Sequence, residues 1–148
     1  MLFRSAPCGF VVAVGDNAAR RRLFTRLATR HEPLTFVHRD TTVAASAALG
    51  AGTVVMPRAA VNPRARIGED CILNTGCVVE HECAVGAHCH IAPGAVLCGG
   101  VRVGEGTLVG AGATLLPGVS VGAGSVIGAG VVVSRDAPDH TTIHRKAR

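Results

Sequence analysis

The sequence has no Trp and no Tyr, and aromatic residues make up 3% of its 148 residues. A globular core normally draws much of its buried area from large aromatic rings. Their scarcity argues against such a core and leaves a narrow one, filled by medium aliphatic side chains. No run of about twenty apolar residues exists either, so no membrane span is expected. Met1 to Phe10 carries one Arg and a short apolar stretch broken by Pro7 and Gly9, which is not a signal-peptide layout. A cytoplasmic protein is the expectation. A basic track is also missing, because the net charge of +5 is concentrated at the ends. Residues 1–40 hold seven Arg against three acids and the last ten hold three bases against one acid, with five Arg against six acids between them. The near-neutral middle offers no path for nucleic acid, and the terminal excess reads as solvated surface.

What is present is a period. From Val43 every sixth residue is aliphatic: Val43, Leu49, Val55, Val61, Ile67, Leu73, Val79, Val85, Ile91, Leu97, Val103, Val109, Leu115, Val121, Ile127 and Val133. Six fits neither the amphipathic helix nor the alternating strand. It marks a hexapeptide β-helix, in which each hexad forms one side of a triangular coil and its first residue points inward. Gly recurs at position two (Gly50, Gly68, Gly86, Gly104, Gly110, Gly122, Gly128), as expected if the backbone turns a corner there with unusual dihedrals. The six Cys invite a disulfide or zinc reading. Register argues otherwise, since Cys71, Cys77, Cys83 and Cys89 fall at position five, which most other hexads fill with Ala, Thr or Ser. Cys behaves there as a small buried hydrophobe. Consecutive members point from different walls, so no metal is expected.

Residues 1–42 follow a different pattern. Phe10–Val14 reads as a strand, Gly15-Asp16-Asn17 as a turn that caps a helix from about Ala18 to Arg30, and Thr35–His38 as a second strand. Leu23, Phe24, Leu27 and Ala28 form the apolar stripe of that helix, with Arg20, Arg21, Arg22, Arg26 and Arg30 largely on the other side. One β-α-β step is too small to fold alone and must dock on the coils. Residues 43–138 form the β-helix, and 139–148 a cap strand or a tail.

The chemistry concentrates in Val79-Glu80-His81-Glu82-Cys83-Ala84. Its middle positions face outward, placing an imidazole between two carboxylates. A carboxylate fixes the tautomer of a neighbouring imidazole and stabilises its protonated form, which suits a general base. His88 and His90 follow. Nine residues, half a coil, separate His81 from His90, so exposed His on different walls would converge only between two prisms packed side by side. A zinc hydratase like the β-helix carbonic anhydrases would need a His pair five apart, and no two His here have that spacing.

The stretch Leu73-Asn74-Thr75-Gly76-Cys77-Val78-Val79-Glu80-His81-Glu82-Cys83, continued by His90 and Gly94-Ala95, resembles the bacterial sugar acetyltransferases. That family includes the UDP-4-amino-sugar N-acetyltransferase of bacillosamine synthesis and the sialic acid O-acetyltransferases. The resemblance implies a left-handed parallel β-helix preceded by the remnant of a Rossmann-like domain, a homotrimer, acetyl-CoA as co-substrate without a metal, and a sugar acceptor. It implies His81 as base with Glu82 orienting it, and His90 beside the thioester. It further implies the Gly99 amide on the acetyl oxygen, Ala111 and Ala129 along the pantetheine arm, and Asn74, Gly15, Asn17 and Arg20 near the acceptor. Against the family pattern, the chain starts past the first strand and Gly-rich turn of the N-terminal domain. Its Ile143-His144-Arg145-Lys146-Ala147 lacks the family's closing Gly and Pro. A β-helix trimer that kept the scaffold without catalysis is the alternative, and a metal-dependent hydratase a lesser one.

Overall fold

The computed structural model describes residues 8–144, so the readings for Met1–Pro7 and Arg145–Ala147 lie outside the described residues. The chain winds as a parallel β-helix of about six turns, each side of each coil a two-residue strand. Three sheets run the length of the stack. The first wall holds the strands Thr42–Val43, Ala60–Val61, Val78–Val79, Val96–Leu97, Thr114–Leu115 and Val132–Val133. The second holds Ala48–Leu49, Arg66–Ile67, Ala84–Val85, Arg102–Val103 and Ser120–Val121. The third runs from Phe36–Val37 through Val54–Val55, Ile72–Leu73, His90–Ile91, Leu108–Val109 and Val126–Ile127 to Thr142–Ile143.

The hexad phase explains this register. Val79 pairs with Val61 above and Leu97 below, eighteen residues each way, and all three are essentially fully buried. Removing each such side chain from water stabilises the fold by roughly 1.5–3 kcal/mol before chain entropy is counted. Position five supplies a second bond. The Thr53 hydroxyl donates to the Gly68 carbonyl at 2.8 Å and the Cys71 thiol to the Gly86 carbonyl at 3.1 Å, fifteen residues on in both cases. Cys and Thr interchange there because each is small and carries one donor. All six Cys are free thiols, and burial pushes Cys77 up to about 12, so it is inert at neutral pH.

The glycine expectation needs correction. The left-handed φ values occur at position four, as at Gly100 (70°) and Gly118 (74°), not at position two. Position-two glycines are required by proximity instead: a methyl group on Gly86 would lie 2.6 Å from the Glu105 amide nitrogen of the next coil.

The N-terminal end differs from the sequence expectation, and at the other end a paired strand is seen. Val37 lies six residues before Val43, and Phe36–Val37 pairs with Val54–Val55 inside the third wall. Thr142–Ile143 pairs with Val126–Ile127 in the same wall. The β-α-β remnant therefore closes with Glu32–Pro33, parallel to Gly9–Phe10, around the helix Asn17–Ala28. Asp16 caps that helix, its Oδ1 accepting from the Ala19 amide at 2.7 Å.

The helix docks by an unexpected residue. Arg20, read as part of the solvated side, is 1% exposed. Arg20 and Phe24 are four apart and share the buried face. The Arg20 guanidinium donates to the carbonyls of Asp70 (3.0 Å), His88 (2.8 Å) and Val14 (3.3 Å), and its Nε lies 3.4 Å from Asp70 Oδ2. His88, expected among exposed histidines, is buried: its Nδ1 bonds Asp70 Oδ2 at 2.8 Å and Phe24 packs edge-on to its ring. Burial raises the Asp70 carboxyl above the usual range, against the pull of His88 and Arg20.

Candidate active site

The corner between the first and second walls carries His81 and Glu82. Position-four residues here occupy the left-handed region even without glycine, with φ of 61° at Glu82 and 62° at Arg64 one coil above. Glu82 Oε2 lies 3.1 Å from His81 Nδ1, and Glu82 Oε1 lies 3.1 Å from an Arg64 guanidinium nitrogen. The carboxyl is held below the usual carboxylate range by the His81 hydrogen bond first and by Arg64 second. With Nδ1 engaged by the carboxylate, Nε2 is the nitrogen left to accept a proton. It overhangs Gly99, one coil below, so closely that a methyl group there would come within 2.6 Å of it. The corner backbone is anchored in turn, Gly100 donating to the His81 carbonyl at 2.9 Å. The Gly99 amide donates to no backbone carbonyl among the described residues.

A second group sits on the third wall. Asn74 Nδ2 lies 3.0 Å from His90 Nε2, and Asn74 Oδ1 accepts from the Thr75 amide at 2.7 Å. The amide orientation set by Thr75 makes His90 Nε2 the acceptor and leaves its proton on Nδ1. Burial, then the nearby Arg20 charge, lowers the His90 pKa, while the Gly15 carbonyl pulls the other way. His90 is thus held neutral. Gly15, Asn17 and His90 line one open groove of about 590 Å³. Asn17 Nδ2 donates to the Gly106 carbonyl at 3.0 Å, and its Oδ1 is buried without a partner, an acceptor that a bound hydroxyl or water can satisfy. Arg20 does not reach this groove. It lies behind, holding the Val14 carbonyl that precedes the Gly15 turn.

Ala111 and Ala129 occupy the remaining corner, between the third and first walls. Both are exposed and stack one coil apart, with Gly130 donating to the Ala111 carbonyl at 2.9 Å. The structure thus brings His81, Glu82 and Gly99 together, and separately Asn74, His90, Gly15 and Asn17. Among the described residues no hydrogen bond joins the two groups. Sequence reasoning missed Arg64, Asp70 and His88 as partners. The available signal was the eighteen-residue spacing that stacks Arg64 on Glu82 and Asp70 on His88.

Residues 64–99 and 100–135 match the family described as bacterial transferase hexapeptide (six repeats). No curated protein matches the chain. Among solved structures the chain is similar to the acetyltransferase domain of PglB from Neisseria gonorrhoeae, which has also been solved with acetyl coenzyme A. Identity is 39% and the TM-score 0.88, over 89% of this chain and 65% of that one. It is also similar to PerB from Caulobacter crescentus in complex with CoA and GDP-perosamine, with 41% identity and a TM-score of 0.90 over 91% of this chain and 66% of that one. WeeI from Acinetobacter baumannii shares the fold, at 22% identity and a TM-score of 0.89 over 93% and 68% of the two chains. The chain spans slightly less than two thirds of the length of the first two.

Proposed function

We propose, from the premise that the chain belongs to the hexapeptide-repeat family, that it is an acetyl-CoA-dependent acetyltransferase. Its acceptor is an amino or hydroxyl group on a bacterial sugar, nucleotide-linked like the GDP-perosamine bound to the Caulobacter protein. The observation that carries this reading is His81, oriented by Glu82 through Nδ1 and overhanging Gly99 with Nε2.

In this scheme His81 Nε2 takes the proton of the acceptor amine or hydroxyl as its lone pair attacks the thioester carbonyl carbon. The Gly99 amide donates to the carbonyl oxygen as negative charge builds on it. The carbon–sulfur bond then breaks, and the imidazolium returns its proton to the departing thiolate. Glu82 stabilises the imidazolium between these steps. Neutral His90 lies beside the thioester, and the Ala111 and Ala129 backbone groups meet the pantetheine arm. Asn74, Gly15 and Asn17 face the acceptor, while Arg20 props the turn from behind. No Cys takes part, so transfer is direct.

The working assembly in this reading is a cytoplasmic homotrimer in which His81 of one prism meets the donor held along the next. Two observations support it. His81 and His90 stand apart in one chain, and the first wall, which ends at the His81 corner, leaves Leu116 and Val132 exposed at 37% and 62%. No helix among the described residues is long and apolar enough to cross a membrane.

Incubation with labelled acetyl-CoA and a panel of nucleotide-linked amino sugars tests the activity. Label transferred by wild type and not by His81→Ala supports the reading. Coenzyme binding with no transfer to any sugar favours a scaffold without catalysis.

A further inference from the structure

The His81–Glu82 pair is held by a third residue from the coil above. Arg64 and Glu82 are eighteen residues apart, at the same position of the same corner, and both carry side chains where Gly100 and Gly118 carry none. A left-handed backbone costs an ordinary residue roughly 1–2 kcal/mol, so side chains retained there point to a use. The two backbones are stapled independently of their side chains: the Glu82 amide donates to the Pro63 carbonyl at 3.0 Å, and the Arg64 amide to Ser46 Oγ at 3.2 Å. Their Cβ directions are therefore fixed, and what remains free is the Glu82 carboxylate itself.

That carboxylate is divided between two partners. Arg64 takes Oε1 and His81 takes Oε2, each at 3.1 Å. Without Arg64 the carboxylate can rotate, swing into solvent, or turn to another cation. With it, one oxygen stays aimed at Nδ1. We propose that Arg64 is a positioning residue for the base, acting through Glu82 and touching neither substrate; this rests on the reading of His81 as the base. Glu80, which precedes His81, supplies a further negative charge at this corner but bonds neither His81 nor Arg64 among the described residues. Arg64 and Glu82 side chains are 65% and 54% exposed, so the contact contributes little to folding. Its effect should fall on turnover.

The test uses Arg64→Gln, Arg64→Lys, Glu82→Gln and the double variant Arg64→Gln/Glu82→Gln in the full chain. Arg64→Gln should lower kcat roughly threefold to tenfold, the scale of coupling within one hydrogen-bonded network, with both KM values within about twofold and an unchanged melting temperature. Arg64→Lys, which keeps the charge, should recover part of that loss. In the Glu82→Gln background, removing Arg64 should cost nothing more. A wild-type kcat in Arg64→Gln, or an equal loss with Glu82 already neutral, overturns the proposal. The His81 Nδ1 proton signal by NMR separates this from the activity itself: it should broaden in Arg64→Gln. If wild type transfers no acetyl group, the proposed function falls, and an unchanged signal would overturn the Arg64 role as well.

Discussion

The Nε2 edge of His81 rests over the α-carbon of Gly99, one coil below it, with no room for a methyl group between them. The φ of Gly99 is not left-handed, unlike that of Gly100. Alanine is therefore acceptable to the backbone and unacceptable to the imidazole. Gly99→Ala should fold with a melting temperature close to wild type and lose at least tenfold in kcat, because a displacement of about 1 Å can cost that or more. Thermal melts and steady-state rates check both halves, and a fully active variant would detach Gly99 from the site.

His81→Ala should lower turnover by about 10²–10⁴-fold, the usual contribution of a general base, and leave the oligomeric state unchanged. Sedimentation and acetyl-transfer rates measure the two effects separately. Unchanged activity would remove His81 from the mechanism.

Arg20→Met should destabilise the protein by about 3–5 kcal/mol at neutral pH, the cost of leaving one member of a buried charge pair alone. The group that loses its charged partner is Asp70, which keeps the His88 bond and whose carboxyl is already raised by burial. A raised folded-state value means the native state takes up the proton before the unfolded chain does. Acidification should therefore lessen the variant's deficit relative to wild type as pH falls towards the ordinary carboxylate range. Urea melts at pH 7 and 5 report it, and a deficit that grows on acidification would contradict the assignment.

His90 gives the opposite sign. Its pKa is depressed below the ordinary 6.5 by burial and by Arg20, so the unfolded chain binds the proton first. Its contribution is fully present above pH 6.5 and is lost as pH falls from there through the lowered value. His90→Gln should flatten the slope of stability against pH between 7 and 5. An identical slope in both proteins would rule His90 out as the group responsible.

The coil was legible because inward aliphatics repeat every six residues and no other common element tolerates that spacing. The same register, taken one step further to eighteen, contained the stacking of Arg64 on Glu82 and of Asp70 on His88. Two of the readings that failed did so for identifiable reasons. Glycine at position two was assigned to dihedral freedom, whereas stacked backbones leave no room for a Cβ at Gly86, a contact between residues of different coils. Arg20 was assigned to solvent because guanidinium groups on an Arg-rich helix usually are. Only the fold reveals the carbonyls and the carboxylate that satisfy it. The His81–Glu82 pair was visible as neighbours in sequence, while the overhang on Gly99 depended on coil geometry.

Each corner of the prism hands a backbone hydrogen bond to the corner beneath it, from Pro63 through His81 to Gly99 and Gly118. The proposed base therefore stands on a column, not on a hinged loop, and has little freedom to loosen before its neighbours do. Heat should silence such an enzyme abruptly: turnover should climb with temperature until the whole stack melts, with no interval in which the protein is folded but inactive.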